Sequence, residues 1–101
     1  MHMRKRNRNN LEHLCQAFLL LETEVEVYNF LKDLCTPSEL EALSERWNIC
    51  KHLHKGLSYR EIHEKTGSSL TTIGKVARFL KNEPYQGYTT MLKKLKKSSG
   101  E

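Results

Sequence analysis

Short hydroxyl side chains are grouped with basic side chains in one predicted helix in the second half of the chain. Ser69, Thr71 and Thr72 lie near its start, and lysine or arginine recurs at every third position after them. Hydroxyls can approach base edges or phosphates, and cations at successive helical turns suit contacts to the phosphate backbone. The segment therefore predicts a surface that contacts double-stranded DNA. Its candidate residues, two of them on the preceding helix, are Arg60, His63, Ser69, Leu70, Thr71, Thr72, Lys75, Arg78 and Lys81.

A short helix, a turn and a longer helix are predicted to position these side chains. Ser58 and Glu61 have the spacing of a capping box that begins the first helix, and Gly67 permits a sharp turn after it. The order is that of a helix-turn-helix over about residues 58–81, a motif that places its second helix in the major groove. The alternative is an ordinary helical hairpin with a polar, solvated outer face.

Helical spacing of apolar residues dominates the rest of the chain and predicts an all-α fold. Ile62, Ile73 and Val76 are expected to pack the two helices of the motif together. One domain over residues 11–97 is expected, with residues 98–101 as a tail. The six predicted helices cover residues 11–21, 24–34, 37–55, 59–65, 70–81 and 88–97.

The charge of the 101-residue chain is +5 overall and is unevenly distributed. Residues 1–10 carry +4, residues 11–50 carry −6 and residues 51–101 carry +7. Two basic regions on either side of an acidic one indicate a polyanion partner, because cations that neutralise phosphates gain affinity through counterion release. The first region is predicted to be a flexible arm that adds salt-sensitive DNA affinity. Its basic residues are Arg4, Lys5, Arg6 and Arg8.

Composition excludes several classes of protein. The longest uninterrupted apolar run, Ala17 to Leu21, is far shorter than the roughly 20 residues that span a bilayer. We therefore expect no membrane association and a cytoplasmic location, with the protein on the bacterial nucleoid when it is bound to DNA. No phosphate loop, glycine-flanked serine or rigid carboxylate pair is evident, which predicts that the protein is not an enzyme.

Cysteine and histidine spacing argues against a metal site or a disulfide framework. The three cysteines, Cys15, Cys35 and Cys50, include no Cys-x-x-Cys pair, and they are expected to be reduced thiols buried on helices. On a helix, Cys50 shares a face with His54 but not with His52, and two ligands do not complete a tetrahedral zinc site. We expect no metal and no cofactor other than a small-molecule effector of unknown identity.

Two motifs resemble those of the Trp repressor superfamily. The first is Leu-Cys-Thr-Pro-Ser-Glu-Leu-Glu-Ala-Leu over residues 34–43, followed by Arg46, and the second is Gly-Leu-Ser-Tyr-Arg-Glu-Ile over residues 56–62, followed by Thr72 and Ile73. The spacing from Gly56 to Ser58 is one residue shorter than in the repressor itself, and in this the chain is more similar to the YerC/YecD type of Trp-repressor-like protein. The resemblance implies a six-helix, intertwined homodimer that regulates transcription, most simply as a repressor.

The resemblance also implies an effector pocket, in which the repressor of the family holds tryptophan between two arginines. The matching positions are Thr36, Arg46, Lys75, Val76 and Phe79. Lysine has no planar guanidinium to stack on an indole, and valine and phenylalanine replace smaller residues. Free tryptophan is therefore predicted not to be the corepressor, and Phe79 or Trp47 is expected to fill the slot. Arg46 has the alternative role of an intramolecular ion-pair partner.

A second function remains open on the sequence alone. A helical adaptor could bind another protein in a groove beside Phe79 and Trp47, with the basic residues serving only solubility. Salt dependence separates the two readings, because phosphate contacts weaken steeply with salt whereas an apolar groove does not.

Overall fold

Six α-helices, and no strands, form the part of the chain that the computed structural model describes, namely residues 5–98, with side chains from Arg8 onward. The prediction of an all-α fold is confirmed. The helices are α1 (Lys5–Leu19), α2 (Glu24–Leu34), α3 (Pro37–His54), α4 (Tyr59–Thr66), α5 (Leu70–Lys81) and α6 (Gly87–Ser98).

Capping side chains fix the starts of α3 and α4, as the sequence predicts. Thr36 and Glu39 exchange backbone-to-side-chain hydrogen bonds of 2.8 and 3.2 Å, and Ser58 and Glu61 exchange two of 3.1 Å. The backbone amides that donate to Glu39 and Glu61 hold the pKa of both carboxyls below the usual value. Both caps therefore stabilise the fold above the ordinary carboxyl pKa, and this contribution is lost as the pH falls through the lowered value.

The chain divides into two compact units, with the boundary between Leu40 and Glu41. In the first unit, the rings of Phe18 and Phe30 pack edge to face at 5.3 Å. None of the described side chains of this unit is buried. Its exposed large apolar residues are Leu11, Phe18, Leu19, Leu20, Val25, Tyr28 and Leu34.

The first helix begins earlier than the sequence predicts. α1 starts at Lys5, so residues 5–10 are helical, whereas we expected residues 1–10 to be a flexible arm. We predicted that the first helix begins at Leu11, because Leu11 is the first apolar residue of the helical pattern. Polar turns can precede an apolar stripe, however, and residues 5–10 are lysine, arginine and asparagine with no proline or glycine to prevent a helix.

The core of the second unit is built around α5. Ile73 and Val76 of this helix are buried against Ile62 of α4, Ile49 of α3 and Leu92 of α6. This packing confirms that the apolar residues of the predicted motif face one another. Five half-buried side chains pack against this core: Trp47, Leu53, Leu57, Leu80 and Tyr88.

The expectation of three buried cysteines is wrong for two of them. Only Cys50 is buried, and burial raises the pKa of its thiol, which keeps it protonated. Cys15 is exposed and Cys35 is half-buried at the end of α2, because both belong to the first unit, in which no described side chain is buried.

Two glycines of this unit are expected to respond in opposite ways to alanine. Gly67 ends α4 at φ +75°, and Gly74 lies inside α5, yet a Cβ at either position meets no atom within 4 Å. The effect of either substitution on stability therefore depends only on the backbone conformation at that position. Gly67→Ala should lower the free energy of unfolding by about 1 kcal/mol, and Gly74→Ala should raise it by about 0.5 to 1 kcal/mol. Urea denaturation of both variants measures this, and the same sign for both contradicts it.

Candidate nucleic-acid interface and adjoining cavity

A hydrogen-bonded turn joins α4 to α5 and fixes the direction in which α5 begins. Thr66 donates its hydroxyl to the Ile62 carbonyl at 2.7 Å and accepts the Ser68 amide at 3.1 Å. The Nδ1 atom of His63 lies 2.7 Å from the Ser68 carbonyl oxygen, which can only accept, so Nδ1 carries the proton. Both backbone groups of Ser68 are therefore held by side chains of α4. Its own hydroxyl is buried and has no partner among the described residues.

The first turn of α5 presents an exposed surface of mixed character. Ser69 caps the helix by accepting the Thr72 amide at 3.1 Å and donates its own proton to the Thr72 hydroxyl at 3.0 Å. Leu70 is 55% exposed, and Thr71 beside it is also exposed. An apolar side chain and a hydroxyl therefore stand at a helix N-terminus whose amides favour an anion.

Cations continue this surface along α5, which contains no acidic residue. Lys75, Arg78 and Lys81 are all exposed. On α4, Arg60 lies 3.6 Å from Glu64, but both side chains are so exposed that the pair costs little to break. The nine residues predicted on this motif thus lie on α4, on α5 or at its cap, Ser69, and all of them except the half-buried Thr72 are exposed.

The remaining predicted DNA contacts lie in the first unit. Arg8 is exposed on α1. Arg4 and the side chains of Lys5 and Arg6 fall outside the described residues. The contribution of these four cations to DNA affinity stays a prediction.

A cavity of about 750 Å³ adjoins α5, which contributes Thr72, Lys75, Val76 and Phe79 to its wall. Four residues that we expected around an effector lie in or near its wall: Arg46, Lys75, Val76 and Phe79. The fifth, Thr36, belongs to the first unit, where its hydroxyl caps α3.

Aromatic side chains form much of the wall. Phe79 is 44% exposed and, like Trp47, borders the cavity, which corrects the expectation that one of them fills it. Tyr85 and Tyr88, which sequence reasoning did not single out as pocket residues, also contribute. The available signal was a pair of tyrosines on either side of the Gln86-Gly87 turn.

The electrostatics of the cavity favour a neutral tyrosine beside two cations. Burial raises the pKa of Tyr88, the nearby Cys50 adds to this, and Arg46 opposes it. The Tyr88 phenol thus keeps its proton and can donate a hydrogen bond. Arg46 and Lys75 supply positive charge, Glu83 supplies one negative charge, and the aromatic faces can stack on a planar molecule.

Residues 5–98 include no group of three His, Cys, Asp or Glu side chains that could hold a metal ion. In the same residues, no helix has the length and apolar character needed to cross a membrane.

Known proteins of similar sequence and structure agree on one family. The family model of the Trp repressor protein matches residues 9–96. The uncharacterized protein YerC of Bacillus subtilis (strain 168) is 33% identical over 101 residues, which cover 100% of this chain and 96% of YerC.

Two crystal structures share the fold. A TrpR-like protein from Eubacterium eligens ATCC 27750 superposes with a TM-score of 0.80 at 38% identity and covers 86% of this chain and 89% of its own. A Staphylococcus aureus protein designated, provisionally, a Trp repressor superposes with a TM-score of 0.81 at 33% identity, over 93% and 95% of the two chains. The chain belongs to the Trp repressor protein family.

Proposed function

We propose that the protein is a sequence-specific, double-stranded DNA-binding transcriptional regulator, acting as a repressor, that places α5 in the major groove. The observation that carries this proposal is the exposed, acid-free surface of α5 behind a turn held rigidly by His63 and Thr66. Thr71 and Leu70 at its start reach base edges, and the cations that follow contact phosphates. Family membership supports the same function.

A homodimer is part of this proposal. Among its described residues, the first unit exposes seven large apolar side chains and buries none, so it requires a cover that these residues do not supply. A second copy of the chain provides such a cover and places a second α5 on the DNA. Two recognition helices separated by one turn of the duplex would read a palindromic site.

The cavity beside α5 is proposed to bind an effector other than free tryptophan. Lys75 offers a point charge instead of a planar guanidinium, and Phe79 and Val76 add bulk to the wall. The aromatic wall suits a planar molecule, and the two cations outnumber the one carboxylate of the wall, Glu83, so that an acidic group on this molecule is favoured. Lys75 belongs to both the cavity and the basic surface, so an occupant of the cavity can alter DNA binding.

A helical adaptor is the second candidate function, and the open, aromatic-lined cavity is the feature that favours it. In that case the cavity would bind a side chain of another protein, and duplex DNA would not bind even at low salt.

Selection of bound sequences from a random duplex pool, with and without added L-tryptophan, tests the proposal. An enriched palindrome that is the same in both arms is the expected result. Enrichment only with tryptophan contradicts the proposal that the effector is not free tryptophan. No enrichment in either arm, together with no duplex binding at low salt, contradicts the regulator and favours the adaptor.

A further inference from the structure

Arg78, one of the cations expected to contact DNA, is already engaged within its own chain. Its Nε atom lies 3.4 Å from Oε1 of Glu83, which follows the end of α5. Its guanidinium carbon also lies 5.2 Å from the centre of the Phe79 ring. The side chain of Glu83 is 32% exposed and that of Glu64 is 67% exposed, so water screens the pair of Arg78 with Glu83 less than the pair of Arg60 with Glu64.

Glu83 is held in place by the turn that follows α5. Gln86 adopts a positive φ of 57° and donates its side-chain amide to the Glu83 carbonyl oxygen at 2.6 Å. The backbone of Glu83 is thereby fixed between α5 and α6. Glu83 and Phe79, the two residues that engage Arg78, both line the cavity.

A carboxylate and a phosphate compete for the same guanidinium donors. Arginine pairs with either anion through charged hydrogen bonds, and a bond to one restricts its geometry toward the other. When a cation of the proposed DNA surface is paired with a carboxylate of its own chain, the pair lowers the free energy of the DNA-free protein. When Arg78 turns to a phosphate, the internal ion pair is lost, and this loss offsets part of the free energy gained from the phosphate contact.

We propose that Glu83 is a positioning residue that competes with DNA phosphate for Arg78 and so holds DNA affinity below its attainable value. Because Glu83 and Phe79 also face the cavity, an occupant that contacts them changes how firmly Arg78 is held. This inference rests on the proposed DNA-binding function. It adds to that function a specific contact through which the cavity and the DNA surface communicate.

Binding of the selected duplex by four variants of the full chain tests the proposal. Glu83→Gln removes the competing charge, and Glu45→Gln, at an exposed position of α3, makes the same change in net charge as a matched control. Arg78→Gln, alone and combined with Glu83→Gln, completes a double-mutant cycle. A midpoint of urea denaturation is measured for each variant to verify folding.

Glu83→Gln is expected to bind about three- to fivefold more tightly than the wild-type chain at low salt, the range that a partly exposed ion pair allows. The gain in duplex affinity from Glu45→Gln should be clearly smaller than that from Glu83→Gln. In the Arg78→Gln background, the gain from Glu83→Gln should disappear, a result that a merely structural role of Glu83 does not predict.

The proposal is overturned if Glu83→Gln gains no more than Glu45→Gln, or if its gain persists without Arg78. These outcomes leave the regulator function intact. If the wild-type chain binds no duplex at low salt, the regulator function fails, and the role of Glu83 fails with it.

Discussion

Thr71→Glu is expected to bind duplex DNA at least about 100-fold more weakly than the wild-type chain, because like charges brought together in an interface cost several kcal/mol. Thr71 is exposed in the first turn of α5, where the proposal brings the helix against base edges and phosphates. A carboxylate near a helix N-terminus stabilises the helix itself. The loss should therefore appear in DNA affinity and not in folding, and a fluorescence anisotropy titration of a labelled duplex measures it.

Ser38→Glu is the matched control for this variant. Ser38 is the second residue of α3, as Thr71 is of α5, and it too is exposed. The substitution adds the same charge at the same helical position, but outside the proposed interface. Equal losses for the two variants would show that net charge, and not the surface of α5, determines affinity.

Ile73→Ala is expected to cost about 2 to 5 kcal/mol of unfolding free energy, the range for a large-to-small change in a packed core. Ile73 is 0% exposed and packs in the cluster that joins α3, α4, α5 and α6. Domains of this size are stable by only about 5 to 15 kcal/mol, so this loss is a large fraction of the total. Urea denaturation at a fixed chain concentration measures it, since dimerisation would make stability depend on concentration.

Leu70→Ala on the same helix is the comparison for Ile73→Ala. Leu70 is 55% exposed, so its truncation removes little buried surface and should cost less than about 1 kcal/mol. A cost for Leu70→Ala as large as that for Ile73→Ala would contradict the assignment of the two faces of α5, the buried face and the face toward DNA.

The positions at which several helices begin and end depend on hydrogen bonds between residues close in sequence, and they were therefore predictable. Thr36 with Glu39, and Ser58 with Glu61, satisfy amides three residues away, so the sequence alone places the starts of α3 and α4. Gly67 ends α4 because it takes up a positive φ, as its position predicts. The family resemblance, whose motifs include these helix starts, is confirmed by the family model that matches residues 9–96.

Long-range features were less predictable. The cavity depends on tyrosines that the α5–α6 turn brings beside α5, and no periodicity in one segment indicates this. The beginning of α1 at Lys5 was missed because polar turns carry no apolar signal. The ion pair of Arg78 with Glu83 joins residues five apart across a helix end, outside the spacing that predicts pairs within a helix.

The affinity of the protein for its selected duplex, measured across a range of salt concentrations, tests the central claim most directly. The account predicts measurable binding at low salt that falls steeply, with a slope of log K against log salt near −5 for about six phosphate contacts. It also predicts tighter binding to the selected sequence than to a scrambled duplex at every salt concentration. Absence of binding at low salt, or a slope near zero, would contradict the assignment of α5 and its cations as a DNA-contacting surface.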